Sequence, residues 1–289
     1  MEEKTSKKEL KRRVKQLEYE LREKEGELER IISVFLNHIP HEIRTPLNAI
    51  VGFSYLLSQK ELSQKNEEEY IKILSNNTKD LTTLVENLVD LSLLKSNQLK
   101  VKIKKFALND LMDELYAGFL KEKVNLEKHG IALLQNVPIV DNPIYIYSDQ
   151  ARLNQIFTIL INNAFRFTEK GIIEFGFSED NADSITFFVK DSGCGIAKEE
   201  RDSIFNSFIK RPGPPSEDNR GLGLGLSVAK GILEVLGGEI KFESENEKGC
   251  LFSFVIPRHK EITRDKISLK KPKVKPEKIE RKVGRNLAI

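Results

Sequence analysis

Two cysteines, Cys194 and Cys250, are all that this 289-residue chain contains. That is too few for a disulfide framework, and there is no pair at metal-ligand spacing, which excludes a stapled mini-protein and a cysteine-built metal domain. A reducing, cytoplasmic setting is the expectation. Long apolar runs are also missing: no stretch approaches the ~18 residues that a membrane-crossing helix needs. The opening MEEKTSKKELKRR has no apolar core of a signal peptide. No membrane span is therefore expected in this chain. Two nucleotide-binding signatures are absent as well, since no GKS or GKT follows the glycine-rich run and its spacing is not that of a dinucleotide fingerprint. No internal repeat is visible.

The net charge of +3 is unevenly spread. Residues 260–289 hold eleven Lys/Arg against four Asp/Glu, which leaves the remainder of the chain mildly acidic. A basic tail without interleaved aromatics implies at most weak, salt-sensitive contact with anions, so no specific nucleic-acid partner is expected. The segment KKPKVKPEKIERK is polar and interrupted by proline, and residues 259–289 are expected to be a disordered tail.

What is present is a 39% hydrophobic content, enough for a real core, and a clear sequence of periodicities. Leu10, Val14, Leu17, Leu21, Leu28, Ile31 and Phe35 recur at alternating spacings of four and three, a heptad seam that pairing with a second helix would bury. Helical spacing continues through Ile50, Phe53 and Leu57, fades over 58–66, and resumes from Tyr70 to Leu94. This predicts a long-armed helical hairpin, which buries little alone and is completed by dimerising into a four-helix bundle. The pattern then predicts a helix over Phe106 to Lys121, strand-like runs at 131–134 and 144–147, and a helix over Asp149 to Phe165. Period-two strands follow on Ile173, Phe175 and Phe177 and on Ile185, Phe187 and Val189. A helix on Leu224, Val228, Ile232, Val235 and Leu236 stops at Gly237 and Gly238. Two closing strands carry Ile240 and Phe242, then Phe252, Phe254 and Ile256.

Four strings carry chemistry. In FLNHIPHEIRTPLNAI, residues 35–50, a helix bears His41 with Glu42 beside it and Thr45 one turn on. A carboxylate that accepts the Nδ1 proton makes Nε2 the better nucleophile, and Thr45 shares the face of His41 and can hold a water or a phosphoryl oxygen. Pro40 and Pro46 each remove a backbone donor and are expected to bend the helix here. In RLNQIFTILINNAFRFT, residues 152–168, Asn163 offers the neutral oxygen that a hard cation accepts, and Arg166 offers a phosphate contact. In VKDSGCGI, residues 189–196, Asp191 ends a strand and can accept from an exocyclic amine, while Gly193 and Gly195 let a flat ring approach. Finally, GLGLGLS, residues 221–227, places Gly221, Gly223 and Gly225 directly before a helix, where backbone N–H groups and the positive helix end converge on an anion. Lys210, Arg211 and Arg220 flank the preceding loop.

Together these strings, in this order over roughly residues 31–257, resemble the catalytic core of sensor-type histidine kinases of two-component systems. HEIRTPLNAI resembles the phosphoacceptor signature, the second string the asparagine box, DSGCGI the adenine-reading glycine box, Phe205 and Phe208 the phenylalanine box, and GLGLG the second glycine box. The resemblance implies a coiled-coil signalling helix (1–30), a dimerisation and histidine phosphoacceptor domain (31–98), and a catalytic ATP-binding domain (105–258). The fold class it implies is α plus α/β: a dimeric four-helix bundle followed by an α/β sandwich of the kind shared with gyrase, heat-shock-protein-90 and MutL-type ATPases. It implies ATP and Mg²⁺ as cofactors, His41 as phosphoacceptor, and Glu42 and Thr45 in transfer and dephosphorylation. Asn163 becomes the metal ligand, and Arg166, Asp191, Gly193, Gly195, Arg220, Gly221, Gly223 and Gly225 nucleotide contacts. The implied partners are a second copy, a response-regulator receiver domain and an upstream sensor. Two residues depart from the pattern: Pro40 replaces a usual serine, and Ile159 replaces a second asparagine, which is expected to weaken metal or phosphate contact.

Overall fold

A computed structural model describes residues 2–59, 62–139, 142–181, 183–209, 222–245 and 248–258. The basic tail, Lys210, Arg211, Arg220 and Gly221 lie outside the described residues, as do the side chains of Leu10, Leu28, Ile31 and Phe35.

The first helix, α1 (Glu2–Leu57), is 56 residues long and continues through Pro40 and Pro46. At about 1.5 Å per residue it spans roughly 84 Å. Of its heptad seam, Val14, Leu17 and Leu21 are exposed along the single chain, the condition of a stripe that a second helix would cover. The apolar spacing lapses where the chain turns, and α2 (Gln64–Lys95) starts at Ser63, whose side chain accepts from the Asn66 N–H. That cap satisfies one of the donors a helix start leaves over. The two arms meet along their length, with the Phe53 and Tyr70 rings 5.2 Å apart.

The remainder is an α/β unit. A small pair, β1 (Lys104–Ala107) and β3 (Tyr145–Ser148), runs antiparallel. The main sheet contains β2 (Ile131–Asn136), β4 (Gly171–Asn181), β5 (Ser184–Asp191), β6 (Glu239–Glu245) and β7 (Gly249–Pro257) in the order β2-β4-β5-β7-β6. Only the β2–β4 pairing is parallel. Three helices, α3 (Leu108–Asn125), α4 (Gln150–Phe167) and α5 (Gly225–Val235), complete the unit. Alternation on β5 puts Ile185, Phe187 and Val189 into the core. There Phe157 of α4 makes edge contacts with Phe175, Phe187 and Phe254, the arrangement that aromatic quadrupoles favour.

Two expectations are corrected. Phe106 and Ala107 are strand residues paired with Ile146 and Tyr145, and the helix begins at Leu108. The helix spacing cannot override a partner strand that supplies the hydrogen bonds, and Asn109 then closes the corner by accepting from the Ile144 N–H. Val235, counted in the stripe of α5, is exposed, whereas Leu233 and Leu236 on either side of it are buried; the stripe closes on Leu236 just before Gly237, whose φ is +76°.

The α/β unit is seated on α2. Leu91, Leu93 and Leu94 pack against its core, and Gly231 of α5 abuts Leu94 so closely that a Cβ there would lie 2.7 Å from the leucine Cδ1. The linker joins in: Leu99 is buried with the same core, with Val101 and Ile103 packed against it.

Candidate functional site

His41 is exposed on α1, Glu42 is half-buried, and Thr45 is exposed. The Thr45 hydroxyl donates to the His41 carbonyl at 3.2 Å. The bond ties the Thr45 side chain to the His41 backbone. Pro46 is buried.

Several residues that the sequence assigns to a nucleotide site meet at the C-terminal half of α4, where Gly225 approaches Ile159 and Gly193 approaches Phe167. Ile159, Asn163 and Arg166 follow each other at spacings of four and three and so occupy one face of the helix. That face meets the start of α5: a Cβ on Gly225 would come within 3.1 Å of Ile159 Cγ2. Asn163 is half-buried there, and the Arg166 guanidinium lies 5.8 Å from the centre of the Phe167 ring. Ile159 thus packs where the start of α5 meets α4.

Asp191 closes β5 opposite Ile173 and Cys250. It is buried, and its Oδ1 accepts the Gly193 N–H at 2.8 Å. Burial raises its pKa above the ordinary aspartate range, while hydrogen bonds from the Gly193 and Cys250 backbones oppose the rise. A Cβ on Gly193 would sit 2.4 Å from the Phe167 carbonyl oxygen, so glycine is required for the loop to lie against the end of α4. Gly195 adopts φ +66°. The loop is further fixed by Ser244, whose hydroxyl accepts from the Ile196 N–H and donates to the Gly249 carbonyl.

Phe205 and Phe208 take different places. Phe205 stands edge-on to Phe242 and Phe252 beneath the sheet end. Phe208 joins a separate cluster in which Ile39 of α1 and Leu222 and Leu224 of the glycine run are buried, with Ile43, Leu84, Leu88 and Leu91 packed around them. The glycine run therefore contacts the helical turn that carries His41.

Sequence reasoning missed three residues that hold this arrangement. Asp90 of α2 is buried and accepts from Arg152 Nη1 at 2.8 Å and from Gln155 Nε2 at 2.7 Å, both on the first turns of α4. Arg152 also donates to Gln155 Oε1, closing a three-membered network. Beside it, Asp149 uses its two oxygens separately, one for the Arg152 N–H that starts α4 and one for the Lys102 N–H of the linker. The available signal was a charged residue in the middle of a leucine-rich stripe, LVDLSLL, which a helix places inside only when it has a partner.

No helix among the described residues is long and apolar enough to cross a membrane. Residues 31–97 match the family described as His Kinase A (phospho-acceptor) domain, and residues 148–260 match the Histidine kinase-, DNA gyrase B-, and HSP90-like ATPase family. The sensor protein GacS of Pseudomonas syringae pv. syringae is 30% identical over 89% of this chain, and the match covers 28% of GacS. The autoinducer 2 sensor kinase/phosphatase LuxQ of Vibrio vulnificus is 34% identical over 78% of this chain, covering 26% of LuxQ. The chain thus spans about a quarter of the length of these curated relatives. Among solved structures, the histidine kinase ThkA in complex with the response regulator protein TrrA is 26% identical, with a TM-score of 0.55 over 83% of this chain and 66% of that one. Full-length ShkA in complex with AMPPNP is 27% identical, with a TM-score of 0.55 over 75% of this chain and 44% of that one. The phosphoacceptor and ATPase matches fall in the same order as the hairpin and the α/β unit and together cover most of the chain, which belongs to the sensor histidine kinases.

Proposed function

We propose that this chain is the ATP-dependent catalytic core of a protein histidine kinase that phosphorylates His41 and hands the phosphoryl group to an aspartate of a response-regulator receiver domain. One observation carries the reading: the glycine run that opens α5 is packed against Ile39 and Ile43, the residues flanking His41. A nucleotide cradle and a nucleophile are thus parts of one assembly.

In this reading Asp191 accepts the exocyclic amine of adenine, Gly193 and Gly195 let the ring lie flat, and the backbone of Gly221, Gly223 and Gly225 with the start of α5 holds the phosphates. Arg166 and Arg220 add charge against them. Asn163 would hold Mg²⁺, which supplies charge neutralisation on the phosphates. Its place fits, because it shares the face of α4 that meets Gly225. Nε2 of His41 then attacks the γ-phosphorus in line, a P–N bond forms as the bond to the bridging oxygen of ADP breaks, and Glu42 holds the Nδ1 proton. Positioning and charge neutralisation are the main contributions such a transfer needs.

Dimerisation completes the same reading, since the seam at Val14, Leu17 and Leu21 and the hairpin's exposed Leu47, Val51, Ile71, Val85 and Val89 lack cover in one chain. Removal of phosphate from the receiver is assigned to Thr45, whose oxygen is free to hold a water. The segment before residue 30 acts as the signalling helix that brings an upstream sensor's input to His41.

The test is incubation of the purified chain with γ-labelled ATP and Mg²⁺. The expected product is acid-labile, base-stable label that His41→Ala abolishes. Nucleotide binding without label would favour a non-transferring scaffold, and label surviving in the alanine variant would move the acceptor elsewhere.

A further inference from the structure

The loop that carries Gly193 and Gly195 is fixed by residues outside its own string. Asp191, Cys250 and Ser244 are successive partners across β5, β7 and β6, and side chains paired across an antiparallel ladder share one face of the sheet. The Ser244 hydroxyl lies 48 residues along the chain from Ile196, yet it accepts the Ile196 N–H at 2.7 Å. It also accepts from the Cys250 thiol at 3.3 Å and donates to the Gly249 carbonyl at 2.9 Å. A hydroxyl has one proton to give and two lone pairs with which to receive, so its whole bonding capacity is spent on this junction.

Arg201 closes the arrangement. It stands on the 3₁₀ turn Lys198–Ser203, and its guanidinium donates from Nη2 to the Ser244 carbonyl and from Nε to the Ile196 carbonyl, the latter at 3.5 Å. Ile196 is buried, with its N–H held by Ser244 and its carbonyl by Arg201. The other end of the loop meets the β6–β7 turn. Gly249 has φ of +88°, and a Cβ on it would run into the Asp191 carbonyl and lie 2.8 Å from the Ser192 Cα. The backbone of the next residue, Cys250, hydrogen-bonds the Asp191 carboxylate. Between these holds the Cys194 N–H donates to the Phe167 carbonyl, and the two glycines bring no side chain with which to pack. Where the glycines stand is therefore set by what grips Asp191 and Ile196.

We infer that Ser244 and Arg201 are positioning residues for base selection: they set the glycine loop against the Asp191 carboxylate, and so the preference of the site for a purine with an exocyclic amine, as in ATP, over one with a carbonyl in its place, as in ITP. This rests on the reading of the chain as an ATP-dependent kinase and adds the residues that make its base contact selective. The amine donates to the carboxylate, and such a bond weakens steeply with misalignment. The carbonyl meets the carboxylate as acceptor against acceptor, a repulsion that discriminates only while the ring is held in place. Slackening the loop costs ATP its bond and spares ITP its penalty.

Isothermal titration calorimetry of the full chain with ATP and with ITP, each with Mg²⁺, reads the ratio of the two affinities. Ser244→Ala is expected to lower that ratio about tenfold, chiefly through ATP, while Ser244→Thr, which returns the hydroxyl, keeps it within about twofold of the unaltered chain. Arg201→Met keeps the length of the stem, is expected to lower the ratio in the same direction, and serves if Ser244→Ala does not fold. A double-mutant cycle adds a readout that general loosening would not move. In an Asp191→Asn background the selectivity is already lost, and Ser244→Ala is expected to change the ratio no further. Affinities for ATP and ITP that fall in proportion, or a ratio untouched in both Ser244→Ala and Arg201→Met, overturn the assignment. Failure of the unaltered chain to bind either nucleotide overturns instead the kinase reading, and the assignment with it.

Discussion

The backbone N–H of Phe208 donates to the carbonyl of Gly223 at 3.1 Å, and both residues have φ of +67°. The bond pinches together the two ends of the segment that joins the phenylalanine string to the glycine run. Left-handed backbone is costly for a bulky residue such as phenylalanine and persists only where its surroundings impose it. Here the imposition comes from the ring, which packs among Ile39, Leu222 and Leu224. The neck of the loop and the hairpin surface therefore constrain each other.

Gly223 is the first point at which to test this. A Cβ there would sit 2.3 Å from the Ile209 carbonyl oxygen, in addition to the penalty of its positive φ. Gly223→Ala is expected to cost about 1–3 kcal/mol of local stability and to weaken ATP binding. Fluorescent-nucleotide titration beside a thermal melt checks both. Unchanged affinity would show that the neck does not shape the cradle.

Asp191 should separate stability from binding. Its carboxylate is destabilised chiefly by burial, which raises its pKa in the folded state. A raised pKa means that stability grows as pH falls from the raised value toward the ordinary aspartate value, and is lost as pH rises back through the raised one. Asp191→Asn is therefore expected to melt at the same or a higher temperature at neutral pH while losing most of its ATP affinity. The gap between the two melting curves should close on acidification, because a protonated aspartate has no charge to desolvate. A gap that widens would contradict the assignment of burial as the cause.

Ile159 can be changed to the asparagine that the resemblance implies at this position. Since it packs beside Gly225 at the start of α5, Ile159→Asn is expected to destabilise the domain by about 1–3 kcal/mol. It should also lower the Mg²⁺ concentration needed for half-maximal labelling. Calorimetry and a Mg²⁺ titration read the two effects separately. If the metal requirement does not move, the position contributes packing alone.

The seam of α1 gives a concentration-dependent prediction. Leu17→Asp with Leu21→Asp places two charges on an exposed stripe and is expected to weaken dimerisation, with little effect on the melting of the α/β unit. Sedimentation velocity over a dilution series checks the first and a thermal melt the second. A dimer of unaltered affinity would restrict association to the hairpin.

Much of the architecture could be read from periodicity because most elements bury one face. Phe187 and Val189 alternate into the core of β5, and Val228 and Ile232 recur at helical spacing into α5. Phe106 escaped because an apolar residue at the start of a helical pattern looks the same whether it belongs to that helix or to a strand before it. His41, Asn163 and Asp191 are proposed as site residues from their type and from the strings that hold them. Arg152 was inside such a string, but its partner Asp90 is 62 residues away, and only the folded chain brings them together. Nor does anything in the identity of Phe208 signal a left-handed backbone, which depends on where its ring is received.

Between the end of α2 at Lys95 and the bond from Lys102 to Asp149 lie residues 96–101, a leash of which Leu99 and Val101 already pack into the core of the α/β unit. Fully extended, six residues reach about 20 Å. As long as Asp149 keeps hold of the linker, the ATP-binding domain can swing about that anchor but cannot roam, and any histidine it serves must lie inside the arc. Lengthening the leash would enlarge the set of targets without touching a single residue of the cradle, so the Asp149 clasp doubles as a fence around the reaction.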